Sequence, residues 1–96
     1  MKIVWSNVAV KQLSDFLEWI AQDSIIQAER IESEIITEIE GLPLHPKRFP
    51  SDKFKLNNGG EFRAFERFSV RIYYKITPEQ LQILRIRHVK QNPKKF

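Results

Sequence analysis

Apolar positions change their period twice along the chain, and the changes divide it into elements. Met1 to Trp5 is a short β-like run whose natural place is beside other strands. From Ser6 or Asn7, either able to cap a helix, Ala9, Leu13, Phe16, Leu17 and Ile20 recur at helical spacing with polar residues between them. The pattern resets at Asp23. Ser24-Ile25-Ile26-Gln27 has the form of a capping box, and Ala28, Ile31, Ile35, Ile39 and Leu42 then form the apolar stripe of a second helix, stopped by Gly41 and Pro43. So short a break between the two patterns predicts an antiparallel helical hairpin with one apolar face on each helix.

Beyond the hairpin the period shifts towards two. Residues 43–60 form a loop rich in proline and glycine, and Asn57-Asn58-Gly59-Gly60 turns the chain into the next element. Three runs rich in β-branched and aromatic residues follow: Phe62 to Arg67, Phe68 to Ile76, and Leu81 to Val89, the last two joined by a turn at Thr77-Pro78-Glu79-Gln80. In the middle run Val70, Ile72, Tyr74 and Ile76 alternate with Arg71, Tyr73 and Lys75, so one face is core and the other polar. The order of elements predicts an α+β domain spanning 1–96: an N-terminal strand, an antiparallel helical hairpin and a three-stranded antiparallel meander. The helices pack on one face of the sheet, which leaves the other free for function.

Charge adds the first functional hint. Residues 1–40 hold three bases against eight acids, a balance of −5, and residues 41–96 hold thirteen bases against four acids, +9, which together give the chain's +4. A basic half of this kind suits an anionic partner, either nucleic acid or an acidic protein segment. Strand parity groups Arg63, Phe65 and Arg67 on one side of their strand, and Arg85 and Arg87 on one side of theirs. If these sides coincide with that of Arg71 and Tyr73, the sheet presents guanidinium groups interleaved with rings, a plausible nucleic-acid surface. An equally plain reading is a solvated charged face. Lys53 and Lys55 make the loop basic, and Lys90, Lys94, Lys95 and Phe96 do the same for the C-terminal tail.

Several classes of chemistry find no support in the sequence. With no cysteine there is neither a disulfide framework nor a thiolate metal site, and His45 and His88 lack ligand-like spacing, so no metal or other cofactor is expected. His45, between two prolines, reads as an exposed loop residue. There is no glycine-rich phosphate loop, no catalytic carboxylate pair and no Ser-His-Asp order. The absence of a long apolar run predicts a cytoplasmic protein without a membrane partner.

The ordered set of the helix pair ending in IEGLPLHP, Phe62-Arg63, the VRIYYKI strand, the ILRIRH strand ending in His88, and the closing QNPKKF resembles the RelE/ParE superfamily, the toxins of bacterial type II toxin–antitoxin systems also labelled plasmid stabilisation proteins. The resemblance implies a growth inhibitor neutralised by a cognate antitoxin. RelE-like members are metal-independent mRNA interferases that cleave ribosome-bound mRNA by driving a ribose 2′-OH onto the adjacent phosphate; ParE-like members poison DNA gyrase instead. By this resemblance Arg71 matches the central-strand arginine and Arg63 falls close to a basic position before it. His88 would be the acid or base of an endoribonuclease. Yet Ala64 and Phe65 stand where such ribonucleases tend to carry lysines, and Phe96 stands where a tyrosine is common. Only proximity nominates Glu61 or Glu66 as a base. This incomplete set tilts the expectation towards the gyrase inhibitor, with the endoribonuclease close behind. A degenerate toxin, or a nucleic-acid-binding module without toxicity, is the third reading.

Overall fold

The structure is a computed structural model and describes residues 1–89. Its elements are β1 (Lys2–Trp5), α1 (Asn7–Ala21), α2 (Ile25–Glu40), a short 3-10 turn (Leu42–Leu44), β2 (Phe62–Arg67), β3 (Val70–Ile76) and β4 (Gln80–His88). One four-stranded sheet has the order β1-β4-β3-β2, with β1 parallel to β4 and the other pairs antiparallel. The α+β arrangement of strand, two helices and three-stranded meander is therefore as expected.

Each helix starts where a serine can accept an orphan amide. Ser6 Oγ accepts from Ala9 N at 3.0 Å and Ser24 Oγ from Gln27 N at 3.1 Å. The reciprocal half of the second capping box is not made: Ser24 N bonds Ile20 O, and Gln27 Oε1 instead accepts from Arg30. Gly41 ends α2 with φ −79°, so the stop is a 3-10 turn through Pro43 and not a left-handed cap.

Between the helices and the sheet lies the core, made of Ala9, Leu13, Ile35, Ile39, Leu42, Phe65, Val70, Ile72, Tyr74, Leu81, Ile83 and Ile86. Ile35 and Ile39 are both 0% exposed, as the stripe predicted. A bulge lets Tyr73 and Tyr74 pair with Arg85 and Ile83, leaving Leu84 as the extra residue. The backbone around it is satisfied from α1. Ser6 Oγ donates to Leu84 O at 2.7 Å, and Gln12 Oε1 accepts from Ile86 N at 2.6 Å.

Two features differ from the sequence reading. Phe68 does not extend β3; Phe68 and Ser69 are the two central residues of a tight hairpin, with φ of 52° and 66°. Such turns need positive φ at both places, where a side chain costs energy and glycine does not. Ser69→Gly is accordingly expected to raise stability by about 0.5–1 kcal/mol, read from the denaturant midpoint.

The second difference is that the outer face of the sheet is only partly free. Residues 45–60 wrap round the edge of β2 as a strap. On the helix side Phe49 stacks on Phe65 with centroids 4.3 Å apart, and the Tyr74 hydroxyl donates to Pro46 O at 2.8 Å. Ser51 bridges Arg63 at the edge, after which Asp52 to Phe54 reach the opposite face. Asn58 fastens the return: its Nδ2 donates to Asp52 O and Phe62 O, while its Oδ1 accepts from Gly60 N and Phe62 N. Gly60, at φ +103°, supplies a backbone conformation that side chains disfavour.

Candidate functional site on the outer sheet face

The two-residue turn at Phe68-Ser69 sets which charges share a face. It places Arg67 opposite Val70, Phe65 opposite Ile72 and Arg63 opposite Tyr74, so Arg63, Phe65 and Arg67 face the helices together with the core side of β3. Arg71, Tyr73 and Lys75 point the other way, opposite Arg87, Arg85 and Gln82 of β4. The expected continuous guanidinium patch thus divides. Arg71, Arg85 and Arg87 share the outer face, and Arg63 and Arg67 do not.

Arg63 is held by the fold itself. Its Nε donates to Gly60 O at 2.9 Å and its Nη1 to Phe49 O at 2.6 Å, tying both ends of the strap to β2. Arg67 joins the sheet to α2 through Glu34 at 3.0 Å. The nearby Tyr74 hydroxyl has its pKa raised by burial, partly offset by the positive charge of Arg63. A folded pKa above the unfolded value of about 10 means that Tyr74 stabilises fully below that pH, and its contribution is lost as pH rises through the folded pKa. Wild type should therefore lose stability more steeply than Tyr74→Phe above pH 10, in denaturation followed at successive alkaline pH values.

On the outer face Arg71 is the hub. Its side chain is 16% exposed and pairs with Asp52 at 3.4 Å and Glu66 at 3.3 Å. The Asp52 carboxylate is 1% exposed and also accepts from Phe54 N at 3.0 Å. Asp52 Oδ2 and Arg71 Nε have no hydrogen-bond partner among the described residues. Rings and cations alternate outward from here. Arg71 lies over Phe54 at 5.5 Å and over Tyr73 at 5.4 Å, with Arg85 over Tyr73 at 4.5 Å. Lys55 and Lys75 lie over Phe62 at 4.6 and 5.1 Å, and Lys53 over Phe54 at 5.2 Å. Tyr73, grouped with the exposed polar face by its parity, is in fact 2% exposed.

His88 sits elsewhere. It pairs with Val70 and so lies on the helix side, one residue out of phase with Arg87. Its ring meets the edge of Trp19 at 6.3 Å and lines a hollow of about 330 Å³ with Gln12, Asp15 and Phe16. Arg63, on the same side, is opposite Tyr74, four residues along β3 from Val70, or about 13 Å at strand rise. Arg63, Arg71 and His88 are therefore not brought together. Lys90, Lys94, Lys95 and Phe96 lie outside the described residues. Asp52, Phe54 and Asn58 join the site from the strap, and strand parity could not have nominated them. The signal available was the Asn-Asn-Gly-Gly turn, which returns the strap beside β2.

No group of three or more His, Cys, Asp or Glu that could hold a metal ion occurs among the described residues, and no described helix is long and apolar enough to cross a membrane.

A helical hairpin laid on one face of a β1-β4-β3-β2 sheet, with basic residues on the other, is the α+β architecture that the RelE/ParE resemblance implies. Residues 3–93 match the family described as the ParE toxin of type II toxin-antitoxin system, parDE, and the chain belongs to that family. Among solved structures it resembles a chain of the chromosomal ParDE TA system from P. aeruginosa, with a TM-score of 0.73 and 17% identity, over 94% of this chain and 97% of that one. At that identity the likeness is one of fold. No curated protein matches the sequence.

Proposed function

We propose that this protein is a cytoplasmic growth inhibitor, held inactive by a cognate antitoxin, whose target is DNA gyrase and not ribosome-bound mRNA. Membership of the ParE toxin family supports the first part. The observation that carries the choice of target is the placement of Arg71 and His88 on opposite faces of the sheet. Cleavage through a 2′-OH needs a base, an acid and a cation converging on one phosphate, within about 3 Å of the atoms they serve. Here the central-strand arginine is committed to Asp52 and Glu66, and the imidazole sits among α1 side chains. A gyrase inhibitor has no such requirement, because it acts through surface contact.

Two assays on the same preparations test this: supercoiling by gyrase, and mRNA cleavage on programmed ribosomes. Wild type and His88→Ala should inhibit supercoiling alike and leave mRNA intact, while a chain ending at Gln91, lacking Lys94, Lys95 and Phe96, should lose inhibition and permit growth. Cleavage by wild type that drops about 10²–10⁴-fold in His88→Ala, the usual value of general acid–base help, would reject the gyrase reading.

A further inference from the structure

We infer that the free protein associates with itself head to tail, the Leu42–Leu44 turn and Lys47 of one copy seating in an acidic groove between α1 and α2 of the next. This goes beyond the gyrase reading and does not depend on it. One residue round from the core stripe of α2, Ile25, Glu29, Glu32 and Ile36 follow one another at steps of four, three and four, and so share a second face of the helix. With Val10, Leu17 and Glu18 of α1 they line a groove of about 660 Å³. Val10 and Ile25 are exposed in it. Glu18, Glu29 and Glu32 are exposed too and make no ion pair or side-chain hydrogen bond among the described residues, whereas Lys11 and Arg30, the bases of the same helices, are taken by Asp15 and Glu34. Carboxylates so placed repel a nucleic acid. They suit an occupant that is apolar at its tip and basic beside it.

The chain carries such an occupant itself. The turn that closes α2 buries Leu42 but leaves Leu44 80% exposed, so this leucine adds nothing to the core. Lys47 follows on the strap, exposed and without an ion pair among the described residues. Leu56 is the strap's other exposed leucine, at 54%, but Lys53 and Lys55 beside it already lie over Phe54 and Phe62. Charge is divided in the same sense along the whole chain, acidic over residues 1–40 and basic over 41–96, so a head-to-tail contact brings unlike ends together. A two-fold contact of groove on groove would instead oppose carboxylate to carboxylate. Leu44 and Lys47 do not line the groove of their own copy, so each copy added keeps one half of the contact open. Association of this kind does not close at two. A contact built on one leucine and a few charges is small, which places it at high protein concentration and low salt.

The test is sedimentation velocity of the full chain over a range of protein concentrations, at about 0.1 M and about 1 M salt, between which the screening length falls from about 10 Å to about 3 Å. The weight-average sedimentation coefficient should rise with concentration past that of a dimer, and association should weaken about fivefold or more at the higher salt. Leu44→Ser with Lys47→Gln, and separately Glu29→Gln with Glu32→Gln, should each weaken association about tenfold or more. Mixed in equal amounts, these two double variants should recover association but stop at a pair, because the intact groove of one meets the intact turn of the other and the remaining halves are both spoiled. Leu56→Ser should associate like wild type. All the changed residues are exposed, and each variant should retain the wild-type circular dichroism spectrum. A chain that stays monomeric at every concentration would overturn the inference. So would mixed variants that remain apart, the behaviour of a two-fold contact, and so would an equal loss in Leu56→Ser, which would show that any exposed leucine serves.

Discussion

Ile39→Ala, and separately Ile35→Ala, should each destabilise the protein by about 2–5 kcal/mol, read as a shift in the urea midpoint at unchanged slope. Both side chains are wholly buried in the cluster that contains Leu42, Phe65, Ile72 and Tyr74. Truncation loses the transfer energy of the removed carbons and leaves a void that the sheet, tied by its ladder, fills poorly. A domain of this size loses roughly 4–8 °C of melting temperature per kcal/mol, so a fall of at least about 8 °C is expected for each. Ile26→Ala, by contrast, removes a side chain 78% exposed and should change little. Equal, small effects at all three positions would mean that the helices do not close the core.

The helical stripe made this part of the molecule legible in the sequence. Ile35 and Ile39 stand at the four-residue interval that places them on one face, and an apolar stripe beside an alternating β-pattern has only the sheet to cover it. Alternation in β3 likewise separated Ile72 and Tyr74 from Arg71 and Lys75. It could not say which face of β2 would join them, because parity within a strand is local and register between strands is set by the turn. Phe68-Ser69 is a two-residue hairpin without asparagine or glycine, so its residues read as more strand, and the consequence for Arg63 and Arg67 was hidden with it. The strap was hidden for a different reason. Its course depends on single contacts, such as Asn58 with Phe62 and Arg63 with Phe49, which leave no periodic trace.

Those contacts change what loss of Arg71 should mean. Arg71→Met is expected to cost about 3–5 kcal/mol of stability, because it strands the Asp52 carboxylate, 1% exposed, with the Phe54 amide as its remaining partner. Adding Asp52→Asn to Arg71→Met should recover much of that loss, since a neutral amide of the same shape is far less costly to bury than an unpaired charge. The single Asp52→Asn should be milder than Arg71→Met, because Arg71 keeps Glu66 and some access to water. A thermodynamic cycle over the four proteins should therefore show strong coupling between two residues in contact, well above the ~0.5 kcal/mol tolerance of independent sites. The cycle also separates two reasons for lost toxicity. If Arg71→Met abolishes growth inhibition and the double variant restores both stability and inhibition, the arginine serves to hold the strap. Restored stability without restored inhibition would instead place the Arg71 guanidinium in contact with the target.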